Sequence, residues 1–314
     1  MSPLAYLRRR LLQSLPVLLI ITVIVFLMIR LIPGDPASVM LGMRGTPETL
    51  ARLRVQMGLD QPLPVQYLIF MRDLVTLNFG QSVFYKIPVT ELIGRRLGVT
   101  LILVLYTCVI TVLLTIPLAL YSALNRNKIG DQVIRGISLA ALTMPSFWLG
   151  ILLLLVFSIR FRLFPVGGGL GSDLGGYLRG LFLPALTLSF GMIAPLLRSL
   201  RSSLIDVLQT DFVAFARAKG LPERKVLVGH VIRSGLIPTV TLLGVNLSFL
   251  IGGTVVVEKV FAIPGVGALM VDSIFARDYA VIQAMSLVFA LLVMGINLAT
   301  DFLYAFLDPR IKFG

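Results

Sequence analysis

Six stretches of about twenty residues carry almost no charge, and this pattern limits what the chain can fold into more than any other feature. A run that long and apolar, without the alternation of a half-wetted surface, is a helix solvated by lipid. The stretches are Leu11–Ile32, Gly98–Leu120, Ile137–Ile159, Leu181–Leu197, Leu236–Val257 and Ala284–Leu307, with Leu181–Leu197 the shortest. Arg30 and Asp301 lie near the ends of the first and last, where Arg30 can snorkel to the interface. Only 14% of the residues are charged, against about a quarter in a soluble domain. The fold class that follows is an all-α polytopic membrane protein with six transmembrane helices.

Orientation is read from lysine and arginine in the short flanking segments. With the N-terminus inside, the inner segments hold fifteen of them: Arg8, Arg9 and Arg10; Arg126, Lys128 and Arg135; Arg198, Arg201, Arg217, Lys219, Arg224, Lys225 and Arg233; Arg310 and Lys312. The two short outer loops hold five: Arg160, Arg162, Arg179, Lys259 and Arg277. Both termini are therefore expected in the cytoplasm. The opening MSPLAYLRRR and its apolar sequel read as an uncleaved first span, since the run exceeds a secretory h-region. The net charge of +13 belongs to this topology and not to nucleic-acid binding, because no aromatic–basic surface motif accompanies it.

Chemistry of other kinds is poorly provided for. Cys108 is the only cysteine, inside an apolar run, and reads as a packing residue; His230 is the only histidine, which removes a multi-histidine metal site. There is no G-x-x-x-x-G-K-[ST] loop to cradle nucleotide phosphates, and no nucleophile–base pair. Neither catalysis nor a cofactor is expected of this chain alone. The middle of every span is uncharged, which disfavours an ion-coupled secondary transporter, the main rival reading; a membrane enzyme or stand-alone channel is the second.

The segment from Pro33 to Leu97 is expected outside and partly helical. Thr46-Pro47-Glu48 offers an N-cap, a proline at the first helical position and an early acid, and Gly58 a stop. Pro64 begins a second helix with Tyr67, Phe70, Met71, Leu74 and Leu77 on one side, and Pro88 a third that feeds the second span. These apolar faces are read as covers for the outer ends of the spans.

On the inner side, Arg198 to Gly235 is the longest excursion. Asp211 can cap a short helix bearing Phe212, Phe215 and Ala216, Gly220 can end it, and Pro238 opens the fifth span. A hairpin this small needs something to pack against. It is either a solvated basic loop or a docking element for a cytoplasmic partner.

Pro117, Pro145, Pro195 and Pro238 allow kinks in or at the start of spans. Thr143, Ser146, Asn246, Ser248 and Asn297 either line a wet path between bent helices or tie the spans together by hydrogen bonds. The outer segment from Glu258 to Gln283, opened by Pro264-Gly265, is a candidate gate. Its charges Glu258, Arg277 and Asp278 are read as solvated rim residues.

DFVAFARAKGLPERKVLVGHVIRSGLIP at Asp211–Pro238 resembles the cytoplasmic loop of the dipeptide, oligopeptide and nickel ABC importer permeases. So do IPGDP at 32–36, MGLDQPLPVQY at 57–67, NFGQS at 78–82, PVTELI at 88–93, the segment 255–284 and DPRIK at 308–312. The outer segment is similar to that of the first permease of such pairs. The wider importer pattern places glycine three residues after Glu-Ala-Ala; this chain has Ala214-Phe215-Ala216 before Gly220, with Pro238 farther on, as in the peptide branch.

The resemblance implies a type I importer permease: a cytoplasmic N-terminus and first span (1–32), an outer helical segment (33–97), a five-helix core (98–307) with coupling loop 198–235, and a tail (308–314). It implies as partners a second homologous permease, two cytoplasmic ATP-binding subunits, an outer solute-binding protein and the bilayer of the bacterial inner membrane. Asp211, Phe212, Phe215, Ala216, Arg217, Lys219 and Gly220 would form the element that couples to the ATPases. The solute, whether a peptide, glutathione or a nickel complex, is set largely by the binding protein.

Overall fold

The computed structural model describes residues 3–31, 46–56, 59–168, 170, 171 and 173–307. The helices are α1 (Pro3–Leu31), α2 (Pro47–Gln56), α3 (Leu63–Val75), α4 (Val89–Leu124), α5 (Ile129–Thr143), α6 (Ser146–Leu153), α7 (Leu174–Leu208), α8 (Asp211–Ala218), α9 (Glu223–Val226), α10 (Arg233–Val260), α11 (Val266–Phe275) and α12 (Tyr279–Leu307). A π-helical stretch, Leu154–Arg160, continues α6, and another, Leu227–Ile232, joins α9 to α10. Among the described residues the one β feature is an isolated bridge between Gln81 and Pro88. Gly58 and the motifs at 32–36 and 308–312 lie outside the described residues.

Four helical runs are long and apolar enough to cross a membrane: Val89–Leu124, Leu174–Leu208, Glu223–Val260 and Tyr279–Phe302. The first three contain the expected spans at 98–120, 181–197 and 236–257, and the fourth covers the last one from 284 to 302. The apolar part of α1, Leu12–Met28, lies within the first expected span.

The third expected span, Ile137–Ile159, is not one helix. It is broken into α5 and α6, which meet at 109° across Met144 and Pro145. Proline has no N–H to continue the ladder, and its ring pushes the preceding residue out of the helical region. Met144 accordingly sits at φ −80°, ψ 132°, an extended conformation. Pro238 departs in the other direction: it lies inside α10 and does not open it.

The chain divides into two compact units. One takes the described residues up to 98 together with 264–294. In it, Thr46 caps α2 by accepting the Thr49 N–H at 3.2 Å, and Pro47 occupies the first helical position. Helix α3 starts at Leu63, a residue before Pro64, and lays its aromatic face on α1. The Phe26 ring meets Tyr67 at 5.3 Å and Phe70 at 5.9 Å, and the Tyr67 and Thr22 hydroxyls are 2.9 Å apart. Arg30 stacks on Phe26 and donates to Gln66 Oε1. Val89, Leu92 and Ile93 at the start of α4 pack with Val266 and Leu269 of α11 and Val281, Ala284 and Met285 of α12.

The other unit takes 99–263 and the described residues from 295 onward. Helix α7 is its axis, burying Leu181, Leu183, Leu188, Met192 and Leu196 against Leu103 and Ile110 of α4 and Leu250 and Val257 of α10. Phe164 and Phe182 stack at 5.0 Å. In lipid such packing rests on close van der Waals fit, so small residues matter. Gly244 shows it: a Cβ there would stand 1.9 Å from Thr300 Cγ2 of α12.

Candidate functional site

The element expected to couple to a partner is α8, and its two faces differ. Helix α7 continues past Leu197 to Leu208, so Arg198 and Arg201 are helical, and a short turn leads into α8. Thr210 is the N-cap residue, and Asp211 is the first helical residue, not the cap. No side chain caps this end; the Thr210 hydroxyl turns back to the Val207 carbonyl at 2.6 Å. Asp211 still favours the helix, as an acid in its first turn.

The C-terminal end closes in a defined way. The Gly220 N–H donates to the Arg217 carbonyl at 2.9 Å, and the Leu221 N–H to the Ala216 carbonyl at 3.3 Å. This paired closure is a Schellman motif, and it requires a left-handed residue. Gly220 supplies it at φ +75°. Sequence position had marked this glycine as the stop.

Val213 is fully buried and Ala216 nearly so, packed among Ala119 and Ala123 of α4, Leu200 and Leu204 of α7, Val226 of α9 and Val231. Phe212 and Phe215 stay exposed, at 44% and 68%. Thus α8 is seated on the body of the protein and presents two aromatic rings outward. Arg217 donates to Glu223 at 2.7 Å, and this partner holds the Glu223 carboxyl below its ordinary range. Arg217 is therefore already paired within the chain, while Lys219 lies at the exposed C-cap.

The expected path residues are partly brought together. Ser248 of α10 donates to Asn297 Oδ1 of α12 at 2.7 Å. Asn246 instead bonds the Leu242 carbonyl of its own helix at 2.7 Å, and Thr143 bonds the Ala140 carbonyl at 2.8 Å. Thr143 and Ser146 flank the α5–α6 break.

The expected outer charges correct the sequence reading. Glu258 and Asp278 are not solvated rim residues; both are fully buried, and only Arg277 is exposed. Glu258 accepts from the Thr100 hydroxyl at 2.6 Å. Asp278 accepts from the Ser82 hydroxyl at 2.5 Å and the Phe84 N–H at 3.2 Å. Pro264 and Gly265 do open a helix, α11, with Gly265 at its N-cap.

One group was missed. Asp131 in the first turn of α5 is fully buried and accepts from Arg201 Nε at 2.8 Å and Nη2 at 2.6 Å. The Asn127 N–H at 2.9 Å and the Ser122 hydroxyl complete its shell, with Arg135 Nε at 3.4 Å. The available signal was a lone acid amid basic residues, four before Arg135.

Two family patterns match this chain. Residues 115–313 match the binding-protein-dependent transport system inner membrane component, and residues 3–104 match the N-terminal part of a binding-protein-dependent transport system membrane component. The oligopeptide transport system permease protein AppB of Bacillus subtilis (strain 168) is 40% identical over 314 residues, covering 98% of this chain and 99% of AppB. The glutathione transport system permease protein GsiC of Salmonella typhi is 40% identical over 308 residues, with the same coverage. Among solved structures, the inward-facing MetNI methionine ABC transporter aligns with TM-score 0.57 at 15% identity, over 70% of this chain and 97% of that one, a likeness of fold. Patterns covering both halves and relatives matching end to end lead to one conclusion: this chain belongs to the membrane-spanning permeases of binding-protein-dependent ABC importers, in the peptide and nickel group.

Proposed function

We propose that this permease forms one half of the pathway of an ATP-driven importer for peptides or similarly small solutes, with a second, homologous permease as the other half. The names of AppB and GsiC support the substrate class. Two cytoplasmic ATPases dock on α8, and an outer binding protein delivers solute. The chain resides in the inner membrane, crosses it six times with α5 and α6 as the third crossing, and has both termini in the cytoplasm. It hydrolyses no ATP, in keeping with a sequence that lacks a phosphate-binding loop.

The observation that carries this reading is the two-faced α8. Val213 and Ala216 anchor it to α4 and α7, while Phe212 and Phe215 face outward. Closure of the ATPases then pushes on α8 and, through its seat, on the bases of α4, α7 and α10, shifting the helices between inward- and outward-opening arrangements. Ser248 and Asn297 are the best-placed polar pair for the pathway.

The test is reconstitution. The complex of two permeases and two ATPases in proteoliposomes, with binding protein and labelled peptide outside the membrane face it serves, should take up solute with ATP and without an ion gradient. Uptake by the permease alone, or uptake that collapses with an ionophore while ATP is present, would overturn it.

A further inference from the structure

The Asp131–Arg201 pair lies in the same packed region as the seat of α8. Arg201 is flanked on α7 by Leu200 and Leu204, and Ser122 is flanked on α4 by Ala119 and Ala123. Those four apolar residues belong to the cluster that holds Val213 and Ala216. Leu204 is also pressed from the α10 side, where a Cβ on Gly235 would stand 2.7 Å from its Cδ2. A displacement of α8 is therefore a displacement of this end of α7.

The pair joins α5 to that body. Two parallel N–H donors from one guanidinium fix the angle between two elements as well as their separation. The Asn127 N–H and Ser122 hydroxyl fix the carboxylate from the turn and from α4. Arg201 is only 15% exposed, so water does not loosen the contact. At its far end α5 stops at Thr143, where the chain breaks by 109°. A helix of 15 residues is about 22 Å long, so a tilt imposed at Asp131 reaches the break as a sideways shift.

We infer that Asp131 and Arg201 are positioning residues for transport: their ion pair tethers α5 to the α8-bearing end of α7, so that movement at the docking helix shifts the break at Met144–Pro145. The inference rests on α8 being the docking helix. Thr143 and Ser146 flank the break, so the tether sets where these two polar side chains stand. Buried ionic contacts of this kind serve registry better than they serve stability.

The experiment measures solute taken up per ATP hydrolysed in the complete complex, in preparations where the ATPases co-purify. Asp131→Asn should keep basal hydrolysis and lower uptake per ATP about tenfold. Arg201→Lys, which keeps the charge but not the fork, should fall between. On a Cys108→Ser background, the pair Asp131→Cys/Arg201→Cys should be uncoupled when reduced and regain coupling when joined by a short bifunctional thiol reagent. A residue that serves only the fold would not show that rescue. Wild-type uptake per ATP in Asp131→Asn overturns the tether, as does a linked cysteine pair that stays uncoupled. Loss of assembly in both assigns the pair to folding alone and also overturns it. If α8 is not the docking helix, Gly220→Val and Phe215→Ala leave ATPase association and stimulation unchanged, a separate result.

Discussion

Ser82 donates its hydroxyl to Asp278 over 2.5 Å, joining positions 196 residues apart in sequence. The same carboxylate takes the Phe84 N–H, so it pins the 80–88 turn to the start of α12. Removing it leaves a buried hydroxyl and a backbone N–H short of a partner, at a cost of about 1–3 kcal/mol. Asp278→Ala should therefore lower the melting temperature of the purified protein and expose the 80–88 turn to proteases. Arg277→Ala, at an exposed position, should change neither. Equal protease resistance in both variants would remove the clasp from the account.

Gly220 tests the closure of α8. At φ +75° a β-branched side chain costs roughly 1–2 kcal/mol or more, although open space surrounds the position. Gly220→Val should insert normally and lose substrate-stimulated ATP hydrolysis. Asn tolerates left-handed backbone, so Gly220→Asn should keep most of it. Equal losses in the two variants would show that bulk, not backbone, matters there.

The sequence carried the Gly220 stop because a left-handed position leaves a residue-level signature. It carried the spans because lipid demands long uncharged runs. It did not carry the depth of Glu258 or Asp278, since burial of a carboxylate depends on a hydroxyl from a distant element, Thr100 or Ser82. Asp131 was hidden for the same reason: its partner Arg201 is 70 residues away and counted only as an inner positive charge. Pro145 signalled a kink, but no local rule specifies the size of the turn.

That break yields its own prediction. Pro145→Ala restores an N–H and lifts the restriction on Met144, so the helix can run through. Uptake should fall while membrane insertion and ATPase association persist. An unchanged uptake rate would show that packing, not proline, maintains the 109° angle.

Topology is open to direct measurement. On a Cys108→Ser background, a cysteine replacing Glu48 should react with a membrane-impermeant thiol reagent from outside, and one replacing Gly220 only from inside. Labelling at position 48 from the cytoplasmic side alone would reverse the orientation drawn from the basic residues.

The two faces of α8 should separate folding from docking. Val213 has no exposed surface, and large-to-small changes at such sites lose both transfer energy and packing, about 1 kcal/mol or more for Val→Ala. Val213→Ala should therefore lower thermal stability. Phe215, at 68% exposure, loses little by truncation in the isolated chain, within about 0.5 kcal/mol. An aromatic anchor at an interface, by contrast, commonly carries 2 kcal/mol or more of binding, roughly a thirtyfold change in affinity. Phe215→Ala should leave the melting temperature unchanged and weaken ATPase association by about that factor, measured by titrating ATPase onto permease in nanodiscs. Phe212→Ala, at 44% exposure, should behave alike but less strongly. Unaltered association in Phe212→Ala/Phe215→Ala would mean that the exposed face of α8 meets only water, and the docking assignment would fall.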